Sequence, residues 1–372
     1  MSETILVTGG AGFIGSHLAD DLLAAGYRVR ALDSLVPQVH GEAGERPDYL
    51  SPEVELQVGD VRDPQAVRKA LEGVDRVVHF AAAVGVGQSM YEIQRYTDVN
   101  NIGTAVLLEA LIERPVQGLV VASSMSLYGE GLYADAAGNA IEVPERPLAQ
   151  LKEARWEPTG PNGEPLTPIP TPESKTPSLS SVYALGKYDQ ERLCLMTGRA
   201  YGIPTVALRF FNVFGTRQAL SNPYSGVLAI FGSRLLNGNR PTVYEDGGQR
   251  RDFVSVSDLV RGVRLALETP AAAGLPINLG SGRSYSVAEV AALVARALGR
   301  EDLTPQVTNT SRVGDIRHCF ADITRAREVL GYEPQTLLED GIGPLAEWIA
   351  EQTVIDRVDQ ASAELAARGL VV

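Results

Sequence analysis

The sequence has little of what a metal site, a disulfide scaffold or a membrane span requires. Only two of its 372 residues are cysteines, Cys194 and Cys319, which show no metal-ligand spacing and allow one disulfide at most. No apolar stretch approaches the ~18 residues of a transmembrane helix. The N-terminal Met-Ser-Glu-Thr also lacks the basic and apolar regions of a signal peptide. These absences predict a cytoplasmic protein with no metal site and no membrane contact.

Positive charge is in the minority. The chain has 33 Lys and Arg against 46 Asp and Glu, a formal net charge of −13, which argues against nucleic acid as a partner. An anionic ligand would therefore have to be held by local arginine clusters. What the sequence has in quantity, 44% hydrophobic residues and 37 glycines, suits an α/β protein of one large or two medium domains.

The N-terminal segment has the pattern of a phosphate-binding turn. A β-branched run leads into three glycines at intervals of three, Gly9, Gly12 and Gly15, and then into helical sequence. The first glycine permits a tight turn, the second lets the backbone approach a pyrophosphate, and the third lets the helix pack on its strand. The free N–H groups of the helix N-terminus would bind the anion. The alternative is an ordinary strand-to-helix turn.

A carboxylate about twenty residues past the glycines points to one dinucleotide. The second predicted strand, 27–32, ends in Asp33, which can accept hydrogen bonds from both ribose hydroxyls of the adenosine. A 2′-phosphate would meet a like charge there, so the sequence predicts NAD in preference to NADP. The alternative role for Asp33 is a solvated turn residue or a helix cap.

Apolar runs then alternate with helical periodicity, which predicts a parallel, doubly wound Rossmann sheet of the α/β class. Ligands of such sheets bind at the carboxyl ends of the strands, and the small residues at these ends leave room for one. Asp60 lies at one of these ends and could meet the adenine. The predicted strands are 54–58, 74–80 and 119–122, and the predicted helices are 64–71 and 101–112.

The alternating pattern stops between residues 130 and 178, a segment with nine of the 22 prolines. We expect an ordered loop, a lid near the active site or a partly disordered segment. Helix 182–199 and strand 205–210 resume the sheet. Helical periodicity returns in 287–298 and 338–351. We assign residues 1–212 and 250–280 to a cofactor domain, and 213–249 and 281–372 to a smaller, discontinuous substrate domain.

One tyrosine of the thirteen has a lysine four residues later, at Tyr183 and Lys187. On a helix this spacing places phenol and ammonium on one face. A neighbouring cation and an oxidised nicotinamide both favour the phenolate, so Tyr183 could take the proton of a substrate hydroxyl while hydride leaves the carbon. Ser124, at the end of a predicted buried strand, is placed to share that proton. Chance spacing and a turn serine are the alternatives.

These residues resemble the extended short-chain dehydrogenase/reductase superfamily, and within it the nucleotide-sugar epimerases typified by UDP-glucose 4-epimerase. Matching motifs run through most of the chain. They are Thr8-Gly-Gly-Ala-Gly-Phe-Ile-Gly15, Asp33, Gly59-Asp60-Val61, His79-Phe-Ala-Ala82, Asn100, Ser123-Ser124, Tyr183 with Lys187, Arg209-Phe-Phe-Asn212, Pro223-Tyr-Ser-Gly-Val227, Arg251-Asp-Phe253 and Gly314-Asp315.

The resemblance implies which residues bind each ligand, and it also implies a homodimer. Arginines would contact the substrate pyrophosphate, while 224–228 and 242–244 would surround the base. The implied NAD contacts are Gly9, Gly12, Phe13, Ile14, Gly15, Asp33, Asp60, Val61, Phe80, Ala81, Ala82, Asn100, Tyr183, Lys187 and Phe210. The implied nucleotide-sugar contacts are Ser124, Ser126, Asn212, Tyr224, Val227, Thr242, Tyr244, Arg251, Arg312 and Cys319.

The resemblance also bears on the size of the sugar. By alignment on Arg312-Val-Gly-Asp315, Cys319 stands where galactose/glucose-restricted epimerases place a tyrosine that closes the pocket. Its small side chain would leave space for a larger substituent. The alternative is that Cys319 is a small buried residue on a strand.

Two positions depart from related enzymes that eliminate water or carbon dioxide. Dehydratases of the superfamily carry an Asp-Glu pair after the catalytic hydroxyl residue and decarboxylases keep a Glu, whereas this chain has Met125 and Ser126. Neither can transfer a proton there, so the chemistry should stop at oxidation and re-reduction. We interpret the chain as an NAD-dependent C4 epimerase of UDP-hexoses or dTDP-6-deoxyhexoses such as dTDP-L-rhamnose. The alternatives are a nucleotide-sugar reductase or dehydrogenase, and a non-catalytic NAD sensor.

Overall fold

A computed structural model describes residues 2–224 and 226–371, and a parallel sheet runs through the larger part of them. Strands are numbered along the chain. They are β1 (Thr4–Thr8), β2 (Arg28–Asp33), β3 (Glu55–Val58), β4 (Arg76–His79), β5 (Gly118–Ser124), β6 (Leu132–Ala134), β7 (Ala140–Glu142), β8 (Thr167–Ile169), β9 (Thr205–Phe210), β10 (Asn212–Phe214), β11 (Thr242–Val243), β12 (Arg250–Ser255), β13 (Pro276–Leu279), β14 (Ser284–Ser286), β15 (Gln306–Val307) and β16 (His318–Cys319).

The helices vary from single turns to the 20-residue helix that carries Tyr183. A π-helical turn, Asp98–Ile102, and 3₁₀ turns at Met125–Tyr128 and Pro270–Ala272 supplement them. The α-helices are α1 (Phe13–Ala24), α2 (Pro37–His40), α3 (Pro64–Ala70), α4 (Val86–Ser89), α5 (Ile93–Thr97), α6 (Gly103–Glu113), α7 (Leu148–Lys152), α8 (Val182–Tyr201), α9 (Val227–Leu236), α10 (Val256–Glu268), α11 (Val287–Ala297), α12 (Thr324–Leu330), α13 (Leu338–Ala350) and α14 (Val358–Ala367).

The central sheet has the doubly wound order. Within the described residues its 7 strands run β13-β9-β5-β4-β1-β2-β3, and every neighbouring pair is parallel. Every residue of β1, β5 and β9 is buried, because helices cover both faces of the sheet. The predicted α/β fold class is confirmed.

Two apolar cores flank this sheet. On one face α1, α10 and α12 pack through residues such as Leu18, Val263 and Leu330. On the other face α3, α6 and α8 pack through residues such as Val67 and Leu107. The turns between strands and helices are therefore the parts of this unit left free to bind ligands.

A third core lies in the later part of the chain, where α9, α11 and α13 pack through Phe231, Val290 and Ile349. Beside it, β12 pairs with β10, β14 and β16 in a second sheet. The sequence assigned 250–280 to the cofactor domain. Of that segment, α10 and β13 join the central sheet and its core, whereas β12 pairs within the second sheet.

The segment 130–178 is folded. Its strand β6 pairs antiparallel with both β7 and β8. Two buried arginines form ion pairs that hold it in place: Arg146 contacts Glu130 at 3.1 Å and Glu245, outside the segment, at 2.8 Å, and Arg317 contacts Glu157 of the segment at 2.6 Å. Arg317 also contacts Glu245 at 2.9 Å. The segment is therefore an ordered insertion and not a partly disordered one.

None of the helices in residues 2–224 and 226–371 combines the length and apolar character that crossing a bilayer requires.

Candidate active site

A cavity of about 890 Å³ opens along the carboxyl edge of the central sheet. It reaches from the glycine turn after β1, past the ends of β4 and β5, to α9 and α14. This is where a doubly wound sheet places its ligands. The predicted residues can therefore be located relative to a single cavity.

The glycine turn is shaped as the sequence predicts. Gly9 has φ of +70°, a conformation that favours glycine. A Cβ on Gly15 would lie 2.2 Å from the Gly9 carbonyl oxygen, so only glycine lets α1 approach the turn. At Gly12 a Cβ would meet only that same oxygen, at 3.4 Å, so this backbone is open on its cavity side. Gly9, Gly12, Phe13, Ile14 and Gly15 all line the cavity. This cradle fits a dinucleotide pyrophosphate.

Asp33 ends β2 on the cavity wall, with its carboxylate mostly buried. Oδ2 accepts a hydrogen bond from Ala11 N at 3.0 Å, and Oδ1 accepts one from Leu35 N at 2.9 Å. His40 Nε2 lies 3.5 Å from Oδ1. Asp33 therefore fixes two neighbouring turns and still has lone pairs for ribose hydroxyls. His40 was not predicted, and its only signal in the sequence is its position seven residues after Asp33.

The ends of β3 and β4 complete the cofactor side. Asp60 lines the cavity beside Arg62, and the guanidinium at 2.6 Å holds the pKa of the carboxyl below its usual range. Phe80 and Phe210 meet edge to face, with ring centroids 5.6 Å apart. The predicted contacts that line this side are Asp60, Val61, Phe80, Ala81, Ala82 and Phe210.

Asn100 does not lie on the cavity wall, contrary to the direct contact expected of it. Its side chain is fully buried behind the wall, where Oδ1 accepts from Ala83 N at 2.7 Å and Nδ2 donates to Ala83 O at 3.1 Å. Asn100 therefore positions the chain after β4, whose own residues line the cavity.

Ser124, Tyr183 and Lys187 line the same part of the cavity. Ser124 ends β5, and Tyr183 lies in the first turn of α8, which Ser181 caps. Burial raises the pKa of the Tyr183 phenol, and its hydrogen bond with Ser124 offsets part of that shift. Burial also lowers the pKa of Lys187 to about 8. These three groups can pass a proton between a bound hydroxyl and the protein.

A buried hydrogen-bond chain behind Lys187 was not predicted. Lys187 Nζ donates to Gln190 Oε1 at 2.7 Å, and Gln190 Nε2 donates to Thr104 Oγ1 at 2.8 Å. Thr104 Oγ1 donates to the Asn100 carbonyl and lies 2.9 Å from His79 Nε2, so that nitrogen carries the ring hydrogen. Burial lowers the pKa of His79 to about 3, which keeps the ring neutral. The sequence signal was the i, i+3 spacing of Lys187 and Gln190.

The substrate side carries two of the predicted arginines. Arg312 pairs with Asp315 at 2.9 Å and lies over the Tyr244 ring at 4.6 Å. Arg251 lies 3.6 Å from the same carboxylate and donates to the Arg317 carbonyl at 2.9 Å. Two cations share one anion there, so a net positive charge remains for a phosphate.

The remaining substrate contacts, except one, line the cavity. Ser126 Oγ donates to Ser124 Oγ at 2.9 Å, and Asn212 Nδ2 donates to the Asp252 carbonyl at 2.9 Å. The lining residues of this group are Ser124, Ser126, Asn212, Tyr224, Val227, Thr242, Tyr244, Arg251 and Arg312.

Cys319 is the exception, and the expectation that it borders the sugar pocket is wrong. Its side chain is 1% exposed, and Sγ lies 3.9 Å from Thr171 Oγ1 of the insertion. Gly131 N donates to the His318 carbonyl at 2.7 Å, which holds the insertion over this strand. The insertion therefore encloses Cys319. No residue of 130–178 borders the described cavity, so the structure offers no support for the insertion as a lid.

Known proteins resemble this chain over nearly its whole length. The chain is 37% identical over 356 residues to the dTDP-L-rhamnose 4-epimerase of Burkholderia thailandensis, covering 94% of this chain and 96% of that one. UDP-glucose 4-epimerase of Thermotoga maritima, solved with UDP-glucose, superposes with a TM-score of 0.76 at 31% identity, over 93% and 98% of the two chains. The UDP-glucose 4-epimerase of Thermus thermophilus, solved with NAD, gives 0.74 at 30% identity over 94% and 100%.

The family model of NAD-dependent epimerases and dehydratases matches residues 5–154 and 157–280, which include the glycine turn, Asp33, Ser124, Tyr183 and Lys187. Because that match and the relatives extend over most of the chain, this protein belongs to the NAD-dependent epimerase/dehydratase family and is an enzyme that uses NAD.

Proposed function

We propose that the enzyme inverts C4 of a nucleotide sugar through a transient 4-keto intermediate. The observation that carries the proposal is the convergence of Ser124, Tyr183 and Lys187 in a cavity with a dinucleotide cradle at one end. At its other end are Arg251 and Arg312, which suit a pyrophosphate. NAD held in that cradle would supply both the acceptor and the donor of the hydride, so the reaction would need no net redox partner.

Each catalytic side chain has a role that follows from its surroundings. Tyr183 Oη takes the proton of the sugar 4-hydroxyl and later returns it, while Ser124 hydrogen-bonds to that oxygen or to the phenol. Lys187 stabilises the phenolate through its positive charge. Gln190 orients the lysine from behind, through its 2.7 Å contact with Nζ.

The two side chains after Ser124 favour a reaction that ends with inversion at C4 and does not continue to elimination or decarboxylation. Met125 and Ser126 have no carboxyl group that could protonate a leaving hydroxyl or assist loss of carbon dioxide. Met125 Sδ instead accepts a hydrogen bond from Asn212 Nδ2 at 3.5 Å. The keto intermediate would then have only one outcome, return of the hydride to either face.

For the substrate we place dTDP-6-deoxyhexoses such as dTDP-L-rhamnose first and UDP-hexoses second. The order follows the relatives, since the dTDP-L-rhamnose enzyme is 37% identical and a putative UDP-glucose enzyme of Methanocaldococcus jannaschii is 30% identical. Tyr224, Val227, Thr242 and Tyr244 would surround the base in either case.

Incubation with a panel of nucleotide sugars tests the proposal directly. We expect a new C4 proton resonance in the NMR spectrum for one member, without accumulation of NADH. Accumulation of NADH and a stable keto sugar would identify a dehydrogenase instead. Binding of NAD without conversion of any panel member would favour the non-catalytic sensor.

We also propose a cytoplasmic homodimer. Residues on neighbouring helices leave large apolar side chains in solvent: Ile93 on α5, Ile102 in the π-helical turn, and Leu185 and Met196 on α8 are 44 to 54% exposed. Leu185 and Met196 lie eleven residues apart and therefore share one face of α8. An apolar surface of this kind suits a second copy of the chain.

A further inference from the structure

The last helix of the chain borders the cavity. From α14, Val358, Ala361, Ser362 and Leu365 line it, and Leu370 follows from the tail. The segment belongs to the predicted substrate domain, 281–372, but none of its residues was among the predicted ligand contacts. It lies at the end of the cavity where Tyr224 and Tyr244 would surround the nucleotide.

Helix α14 contacts both walls of that end. Toward the central sheet, Tyr91 Oη donates to Glu364 Oε2 at 3.2 Å, and Arg368 lies 4.3 Å from the Tyr91 ring centroid. Leu365 packs against the backbone of α4, because a Cβ on Gly87 would lie 3.3 Å from its Cδ2.

Toward the substrate side, Ser362 Oγ lies 3.3 Å from Tyr244 Oη. The tail accepts a hydrogen bond from Val313 N to the Leu370 carbonyl at 2.9 Å, and Val371 forms an antiparallel bridge with Arg312. The segment thus spans the cavity from α4 to the residues beside Arg312.

The helix has few buried side chains, and its first turn is anchored. Within α14 only Ala361 and Leu365 are buried, while the largely exposed Asp359 pairs with Arg234 of α9 at 2.7 Å. Residues 351–357 contain no regular helix, yet they are tied down, since Asn239 Nδ2 donates to Asp356 at 2.7 Å and Asn237 Nδ2 to the Val354 carbonyl at 3.2 Å. Because Arg234 pairs with both Asp356 and Asp359, the helix can pivot about its first turn and leave the cavity at Leu365 while its connection stays anchored.

We propose that residues 358–371 form the outer wall of the nucleotide subsite and swing away from Gly87 and Tyr91 to admit and release the nucleotide sugar. The proposal rests on the proposed function, because it takes a nucleotide to be the ligand at this end. The small contact with α4 makes the opening accessible, and the bonds to Glu364 and Leu370 restore the closed wall.

A reversible cross-link tests the movement. In a Gly87→Cys/Leu365→Cys variant the new Cβ at position 87 would lie 4.0 Å from the present Leu365 Cγ, the place that a cysteine sulfur takes, which is close to disulfide range. Gly87 has helical backbone, so a side chain is tolerated there. Cys194 and Cys319 are buried and should not compete for the oxidant.

The measured quantities are the association and dissociation rate constants of UDP and dTDP, by surface plasmon resonance, before and after reduction. We expect both rates to be at least about tenfold slower in the oxidised variant and to recover on reduction. The Leu365→Cys single variant, treated identically, should show no redox effect. Equal association and dissociation rates in the oxidised and reduced variant would overturn the proposed movement of residues 358–371. Failure of either nucleotide to bind the reduced variant and the wild type would overturn the proposed function as well.

A second variant avoids the cross-link. Glu364→Ala removes the carboxylate that Tyr91 contacts and leaves the contact between Tyr91 and Tyr224 in place, so the wall should open more often and nucleotide dissociation should be about fivefold faster. The matched control is Glu268→Ala, which removes the carboxylate that contacts Tyr27 at 3.1 Å away from the cavity. An unchanged dissociation rate in Glu364→Ala would contradict the proposal.

Discussion

Among single residues, Tyr183 is the one whose replacement should separate ligand binding from turnover. The Tyr183→Phe change removes the proton-transferring hydroxyl and keeps the ring, so we expect epimerisation to fall by about two to four decades. NAD affinity of the variant should stay near that of the wild type. Tyr188→Phe, on the same helix but outside the cavity, is the matched control. Wild-type turnover in Tyr183→Phe would remove the phenol from the mechanism.

Lys187 links the site to the pH dependence of stability. Its folded pKa of about 8 lies below the ordinary 10.5, so between these values the unfolded chain binds a proton that the folded chain does not. Stability from this group therefore rises with pH across that window and is constant below it. Relative to Lys187→Met, the wild type should gain up to about 3 kcal/mol in free energy of unfolding from pH 7 to 10.5.

Urea denaturation of both proteins at several pH values measures the difference between their free energies of unfolding. The contributions of the other titrating groups are common to both proteins and cancel in this difference. The same variant should need a higher pH for any remaining activity, because the phenolate loses its cation. A difference in stability that does not change with pH would show that Lys187 titrates normally.

Asp33 should govern both the affinity and the choice of dinucleotide. In Asp33→Asn one carboxylate oxygen becomes an N–H₂ group facing Ala11 N or Leu35 N, and the negative charge that repels a 2′-phosphate is lost. We expect weaker NAD binding and a smaller preference over NADP. Titration of the apo-protein with each dinucleotide measures both, with Glu55→Gln on the neighbouring strand β3 as the control. An unchanged preference would mean that another group reads the ribose.

At the scale of elements, the insertion 130–178 depends on buried charge. Arg146 lies between Glu130 and Glu245 with its side chain 2% exposed, so Arg146→Met leaves the buried Glu130 without its cation and Glu245 with Arg317 alone. We expect a loss of about 3–5 kcal/mol in free energy of unfolding. The exposed Arg155–Glu153 pair is the comparison, and Arg155→Met should cost less than ~1 kcal/mol. Thermal and urea denaturation distinguish the two results, and equal losses would contradict the role of burial.

The elements that the sequence predicts well are those whose own residues decide them. Predicted strand 205–210 and helix 182–199 agree with β9 and α8 to within two residues, because apolar periodicity and flanking turns are local signals. The glycine turn was predictable for the same reason. The small strands of the insertion were missed, since each has only three residues and is held by partners distant in sequence.

The site residues also divide into those that local sequence predicts and those whose position depends on distant parts of the chain. Tyr183, Lys187 and Ser124 could be found from spacing and position, whereas Asn100 and Cys319 were placed on the cavity by alignment alone. Whether a side chain faces a cavity or lies behind its wall depends on what packs over it, which is the Ala83 backbone for Asn100 and the insertion for Cys319. Helix α14 carried no chemical motif, so only its packing reveals its place beside the nucleotide end.

At the scale of the whole molecule, we expect a dimer that dissociates into monomers when charged residues are introduced on the apolar face of α8. Leu185→Glu/Met196→Glu introduces charges on the shared face of α8, and the mass measured by light scattering should fall from twice 39.8 kDa to one chain. Val307→Glu changes an apolar residue of similar exposure, 44%, elsewhere on the surface and should leave the mass unaltered. A wild-type protein that is monomeric by light scattering would contradict the proposed homodimer.

The two cysteines make the molecule a convenient one for site-specific labelling. Cys194 and Cys319 are both buried, and burial raises the pKa of each thiol to about 12, so neither forms appreciable thiolate near neutral pH. A single cysteine placed on the surface should therefore react with a maleimide dye much faster than either native thiol. Fluorophores could be attached to α14 and to the central sheet without first removing native residues, and distances between them could then be followed in single molecules.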